Sequence, residues 1–284
     1  MRVHYGSLTY ALTIAILLPF HAFSAEPPLP SPENGTLTAR YNVHWGLLRI
    51  ADIAVTWKTS DEDYSIALYT RTRGLLRAIF KAEAALSASG SVENAALTPR
   101  TFITDSSFNK KIFGREMRFD NDGRARIIRE IKPDDFKFER EPVPNSLQYG
   151  PDPMTVFLDF MLLPGTVPGT RSFDGVQVVE TRLQCNLETE ALSKTRRSIF
   201  HGQAQRCNVT GDVIAGDVVL DDTNDVADDV DGRDFETLIW FARTLDQSLR
   251  IPVRVKAASN RGTLKIYLTE ITGGVDERVG KLGS

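Results

Sequence analysis

Few side chains in this chain could carry covalent or metal chemistry. Of four histidines, His4 and His21 fall in the first 24 residues, which leaves His44 and His201 for the rest. A nucleophilic enzyme needs a base beside its Ser or Cys. His44 alternates out of an apolar stretch, His201 sits in a turn, and there is no G-x-S-x-G elbow. No H-x-x-x-H or C-x-x-C spacing offers a zinc site. Phosphate-cradling G-x-x-x-x-G-K-[ST] and G-x-G-x-x-G patterns are absent too. Carboxylates that could work in pairs on a glycosidic bond abound, but the sequence singles out no pair. The expectation is a protein with no catalytic residue and no cofactor.

Two features keep chemical interest. Asp217–Glu236 holds nine acidic residues against Arg233 alone. Its Asp225, Asp228, Asp229 and Asp231 are hard oxygen ligands at close spacing, which would suit calcium. Leu238 stands where the helix–loop–helix calcium template needs Glu, counting from Ala227, so a solvated acidic loop is the plainer expectation. The second feature is the pair Cys185 and Cys207. An even count in an exported chain favours a disulfide, and a loop of this size stabilises by roughly 3 kcal/mol.

Export is read from the N-terminus. Arg2 precedes an uncharged apolar stretch, Leu8–Phe20, followed by the small residues of Ala22-Phe23-Ser24. This is the pattern of a secretory signal peptide over residues 1–24. The apolar run is about 13 residues, short of the roughly 20 that span a bilayer. No later segment is long and apolar enough to span, and no nucleic-acid partner is suggested by a chain with 34 basic and 37 acidic residues. A periplasmic location follows as the expectation.

The elements that must position any site read mainly as β. Residues 25–37 form a polar, Pro-rich leader, residues 38–272 one β-rich domain, and residues 273–284 a tail. Alternation with period two marks Tyr41–Trp45, Ile53–Trp57, Tyr64–Thr70, Thr98–Thr104, Lys111–Phe119 and Ala125–Glu130 as strands. Leu75–Ser87, rich in Ala and Leu and free of Gly and Pro, favours a helix. Asp152-Pro153-Met154 opens a second helix, with Asp152 as N-cap and Pro153 at the first position, closed by Pro164-Gly165. Val176–Leu187 and Arg197–Thr210 are β-like and carry the cysteines. Thr237–Ile271 is a three-stranded meander, with Leu238, Trp240 and Ala242 facing one way and Ile239, Phe241 and Arg243 the other. The whole comes to ten to twelve strands and one or two helices.

Several short signatures, in order, resemble one family of exported bacterial proteins. They are Tyr41-Asn42-Val43-His44-Trp45-Gly46-Leu47, Thr72-Arg73-Gly74-Leu75, Ser89-Gly90-Ser91-Val92 with Leu97-Thr98-Pro99-Arg100, and Asp152-Pro153-Met154-Thr155. Phe200-His201-Gly202-Gln203 follows, with His201 where the family often has Asp, and then Trp240 and Arg250-Ile251-Pro252-Val253-Arg254-Val255. The chain is similar to the domain of unknown function 3108 family across roughly residues 38–272. The resemblance implies an antiparallel, strongly curved or spiral-barrel-like sheet with a helix on its concave face, related in architecture to periplasmic lipoprotein carriers. It implies no catalytic residue.

A curved sheet with an apolar interior can hold an acyl chain. Trp45, Trp57, Phe102, Phe119, Trp240 and Phe241 are the candidate lining, against the alternative that inward aromatics are plain core. The expectation is an exported, non-enzymatic envelope protein that receives a lipid, a lipopeptide or another apolar component. The second reading is a structural or protein-interaction module supporting envelope integrity, and the third an uncharacterised hydrolase.

Overall fold

A computed structural model describes residues 35–79, 81–94, 96–134, 140–163, 165–217, 236–244, 249–259 and 262–273. Six strands run first: β1 (Thr36–Trp45), β2 (Leu48–Thr59), β3 (Asp63–Thr72), β4 (Ala82–Glu93), β5 (Ala96–Phe108) and β6 (Lys111–Phe119). The short helix α1 (Gly74–Ile79) lies between β3 and β4. After β7 (Ala125–Ile131) comes helix α2 (Pro153–Leu162), then β8 (Val167–Phe173), β9 (Val178–Leu192) and β10 (Gly202–Ala215). The meander closes the chain as β11 (Glu236–Arg243), β12 (Arg250–Ser259) and β13 (Gly262–Gly273). All thirteen strands form one antiparallel sheet in the order β7-β6-β5-β4-β3-β2-β1-β13-β12-β11-β10-β9-β8.

That order is two meanders joined where β1 pairs with β13, so the first and last strands meet in the middle of the sheet. The result is nearly a closed barrel. Its two edges, β7 and β8, are tied by other means than a ladder between them. Ala125 N–H donates to Gln148 O, Gly150 N–H to Gly123 O, and Phe173 N–H to Pro151 O, so residues 148–151 stitch one edge to the other. The β8–β9 turn also tucks against the inner side of β6. There Arg115 donates to Asp174 O at 3.2 Å. A Cβ on Gly175 would stand 2.4 Å from Arg115 Cδ, and its φ of +97° also calls for glycine.

Register assigns the faces, because paired residues share one and the side-chain period is two. One inward row runs Leu37–Trp57–Ile66–Ala88–Phe102–Met117 across β1 to β6. Every member of it is buried. Helix α2 supplies the other side of this core with Met154, Val156, Leu158, Phe160 and Met161. It touches β3, β4 and β5 on one side and β8 and β12 on the other, so it is a plug and not an outer layer. This is why its apolar residues exceed the single stripe Met154–Phe157–Leu158–Met161–Leu162 that helical spacing suggests.

Three expectations need correction. Leu75–Ser87 is helical only to Ile79; from Ala82 the chain is β4. Leu86 and Ala88 point inward there, and pairing with strands on both sides outweighs the helix preference of Ala. Strand β8, with Pro168 and Gly169 inside it, was not expected at all; it survives because it is an edge strand, where proline's missing N–H costs no ladder bond. The first cysteine strand, expected to end at Leu187, continues as β9 to Leu192 past a bulge opposite Arg206, and the second starts at Gly202 and not at Arg197, so the connection is Ser193–His201. No helix among the described residues is long and apolar enough to cross a membrane.

Candidate functional site: the concave face and its plug helix

The plug is fastened at both ends by polar groups that the sequence places for the purpose. At the N-terminus Asp152 caps α2: its Oδ1 accepts from Met154 N–H and Thr155 N–H, both at 2.9 Å. Its Oδ2 accepts from Thr155 Oγ1 at 2.6 Å, and the same hydroxyl lies 2.7 Å from the Tyr64 hydroxyl on β3. Asp152 is wholly buried, so desolvation pushes its pKa up while these bonds pull the other way. Burial likewise raises Tyr64.

At the C-terminus a cation does the fastening. Arg250 of β12, buried, donates from Nε to Phe160 O at 2.6 Å and from its terminal nitrogens to Gly165 O at 3.2 Å and Gln205 Oε1 at 3.1 Å. Its guanidinium lies over the Phe241 ring, 4.7 Å from the centroid. The partners are carbonyl dipoles near the negative end of a helix, with no carboxylate among those bonds. Burial, with help from Arg243, lowers the Arg250 pKa to about 10.

The same guanidinium stands 3.6 Å from the sulfur of Cys185. Cys185 and Cys207 are directly opposed on β9 and β10, with their sulfurs at disulfide-bonding distance, 2.03 Å. The plug, the meander and the cysteine pair therefore share one polar node. Sequence reasoning missed Arg250 as its centre. The Arg-Ile-Pro-Val-Arg-Val string marked the residue, but alternation alone reads it as solvent-facing.

Past the plug the concave face remains apolar and changes character. The next inward rows are Ala39–Val55–Leu68–Leu86–Thr104 and Tyr41–Ile53–Thr70–Ala84. Leu68, Leu86 and Ile53 pack against the core yet stay only partly buried, as do Val255 and Ile266 on the facing strands. In this part of the inward face, mostly apolar, the side chains of Leu68, Leu86 and Ile53 are left partly uncovered. Tyr41 stands at the edge of this part: its hydroxyl is buried and has no hydrogen-bond partner, and burial drives its pKa well above the ordinary phenol range. Trp57 Nε1 is likewise buried without a partner.

The six aromatics singled out as lining separate into distinct places. Trp57 and Phe102 belong to the packed row against α2, and Phe119 is partly buried beside that core. Phe241 lies under Arg250. Trp45 ends β1 at the open end of the face and is 50% exposed. Trp240 is on the other face of β11: its Nε1 donates to Glu190 at 2.9 Å, and Arg254 lies between its ring and that of Tyr267. His44, also on that outer side, meets Tyr267 edge-on at 5.7 Å. Burial and the nearby Arg197 and Arg49 lower its pKa. His201 is half-buried in the Ser193–His201 connection, far along the chain from any nucleophile pattern. The calcium candidates Asp225, Asp228, Asp229 and Asp231 lie outside the described residues. Among the described residues no group of three or more His, Cys, Asp or Glu could hold a metal ion.

Comparison with known proteins gives a family and no activity. The family model described as a protein of unknown function, DUF3108, matches residues 40–269. No functionally curated protein matches the sequence. Among solved structures the chain is similar to a crystal structure of a beta-barrel-like protein of domain of unknown function DUF1849 from Brucella abortus. The two share 11% identity with a TM-score of 0.44, over 84% of this chain and 98% of that one.

Proposed function

We propose, from the premise that this chain belongs to the DUF3108 family, that it is an exported, non-enzymatic protein of the cell envelope that holds a lipid or similar apolar molecule on its concave face. The observation that carries this reading is the partly uncovered part of that face. A sheet that needed only a core would close over Leu68, Leu86 and Ile53, which instead stay only partly buried beside the core that holds Trp57 and Ile66. Apolar surface facing a concavity, with few polar groups, is the general form of a lipid site. The signal-peptide pattern and the cysteine pair support export.

A direct test fills the space. Leu86→Trp adds a ring to the partly uncovered row without touching α2's fastenings. Binding of a fluorescent fatty acid should weaken more than about tenfold in this variant, with the thermal midpoint little changed. Equal affinity for the probe in variant and wild type would remove the concave face as the binding site.

A further inference from the structure

The connections at one end of the sheet form an unusual surface. The β1–β2 turn carries Leu47 and Leu48, α1 carries Leu75 and Ile79, and the β5–β6 turn carries Phe108 and Ile112; all six are exposed, Leu47 to 86%, Leu75 to 80% and Ile79 to 76%. Helix α1 has no buried residue at all. Strand order and hydrogen bonds place the three tips side by side. Arg73 N–H donates to Ile50 O, which seats α1 beside the start of β2. Asn109 N–H donates to Lys81 O and Lys81 N–H to Asn109 Oδ1, which joins the β5–β6 tip to the segment after α1. Single exposed apolar residues need no explanation, but a contiguous set on protruding tips does.

The charge close to the three tips is mostly positive. Arg49, Arg73, Arg77, Lys81, Lys110 and Lys111 flank the tips, against Asp52, shared by Arg49 and Arg73, and Glu83, paired with Arg77. The chain as a whole is acidic, with a formal net charge of −3. A cationic, apolar rim on an acidic protein is therefore a local arrangement and not a reflection of composition. Protruding apolar residues ringed by Lys and Arg fit the headgroup layer of an anionic bilayer: the side chains enter the acyl boundary and each nearby cation contributes roughly 1 kcal/mol. Trp45, at the same end, is the residue type that favours that interface.

We infer that this rim, the β1–β2 and β5–β6 tips with α1 between them, docks the protein on the surface of a membrane containing anionic lipids. The rows that hold Leu86 and Ile53 lie toward the same end of β1 to β5. The inference rests on the rim alone and stands whether or not a lipid occupies the interior.

Flotation of the exported, processed protein with vesicles tests it, comparing phosphatidylcholine alone with phosphatidylcholine containing phosphatidylglycerol. Wild type should float with the anionic vesicles and at least about tenfold less with the neutral ones, the difference shrinking as salt rises. The Leu47→Ser/Leu75→Ser/Ile79→Ser variant should lose flotation while keeping the wild-type melt and its affinity for a fluorescent fatty acid. Lys81→Ser/Lys110→Ser should lose the anionic preference. Absence of wild-type flotation, or flotation unchanged by the triple substitution, overturns the proposal. So does self-association that the same substitutions abolish in vesicle-free sedimentation. Loss of probe binding in Leu86→Trp with normal flotation would separate the interior site from the rim.

Discussion

Arg250 shows how much depends on single polar groups in an apolar interior. A buried cation without an acid partner is costly unless every donor is used, and here the donors go to Phe160 O, Gly165 O and Gln205. Arg250→Met removes the cation but strands those acceptors and frees the end of α2. It should cost about 2–4 kcal/mol, read as a lower urea midpoint, and Arg250→Lys should recover little because one ammonium cannot span three acceptors. Asp159, on α2, has no such set of partners: burial lifts its pKa to about 6. Since the folded form favours the neutral acid, its stabilising contribution is complete below the ordinary carboxylate range and is lost as pH rises through about 6. Asp159→Asn should therefore match wild type at about pH 3.5 and exceed it by about 1 kcal/mol at about pH 7.5, after allowing for the carboxyl's partial exposure. A constant difference across that range would contradict the sign. At this scale the sequence was readable where a residue's role is local, as with Asp152 capping its own helix, and silent where it depends on distant chain, as with Arg250 meeting α2 or Thr155 meeting Tyr64.

Elements repeat the pattern. Lys111–Phe119 appears with the bounds that alternation suggests, whereas β1, β2 and β5 run several residues past Tyr41–Trp45, Ile53–Trp57 and Thr98–Thr104. Ala82–Ser87 does not alternate in size, because small residues on β4 face both ways between β3 and β5, and so its composition reads as helix. Strand β8 carries Pro and Gly and is defined by its partner β9 alone. The cysteine strands were recognisable, but the bulge that brings Cys185 opposite Cys207 was not, since it is set by pairing. Because that pair sits inside an already complete ladder, Cys185→Ala/Cys207→Ala should fold with the same sheet and lose at most about 3 kcal/mol, the chain-entropy value for a loop of this size. Equilibrium unfolding with and without reductant reads it: the reductant should shift wild type and leave the variant unmoved. A variant that fails to fold at all would show that the pair organises the fold instead of bracing it.

On the scale of the whole molecule, the joining of first and last strands in mid-sheet explains why a single chain with few helices holds together. The β1–β13 ladder welds two meanders, and α2 packs inside the sheet against strands of both. The curved sheet and its helix follow from the resemblance noted in the sequence. The division of the interior into a packed part and a partly uncovered part does not, because alternation marks which residues face inward without saying what they meet. Of the six aromatics chosen as lining, the packed places of Trp57 and Phe102 and the outward place of Trp240 follow from α2's position and from strand register. Ile53, Leu68 and Leu86, which line the partly uncovered part, look in the sequence like any other core positions.

The central claim, an apolar guest on the concave face, is most directly tested by native mass spectrometry of protein recovered from the periplasm, followed by organic extraction. The account predicts a reproducible added mass that extracts as a lipid, reduced in Leu86→Trp and retained in Leu47→Ser/Leu75→Ser/Ile79→Ser. A clean unliganded mass that persists after incubation with extracted envelope lipids would contradict it, and would leave the partly uncovered apolar side chains to a protein partner.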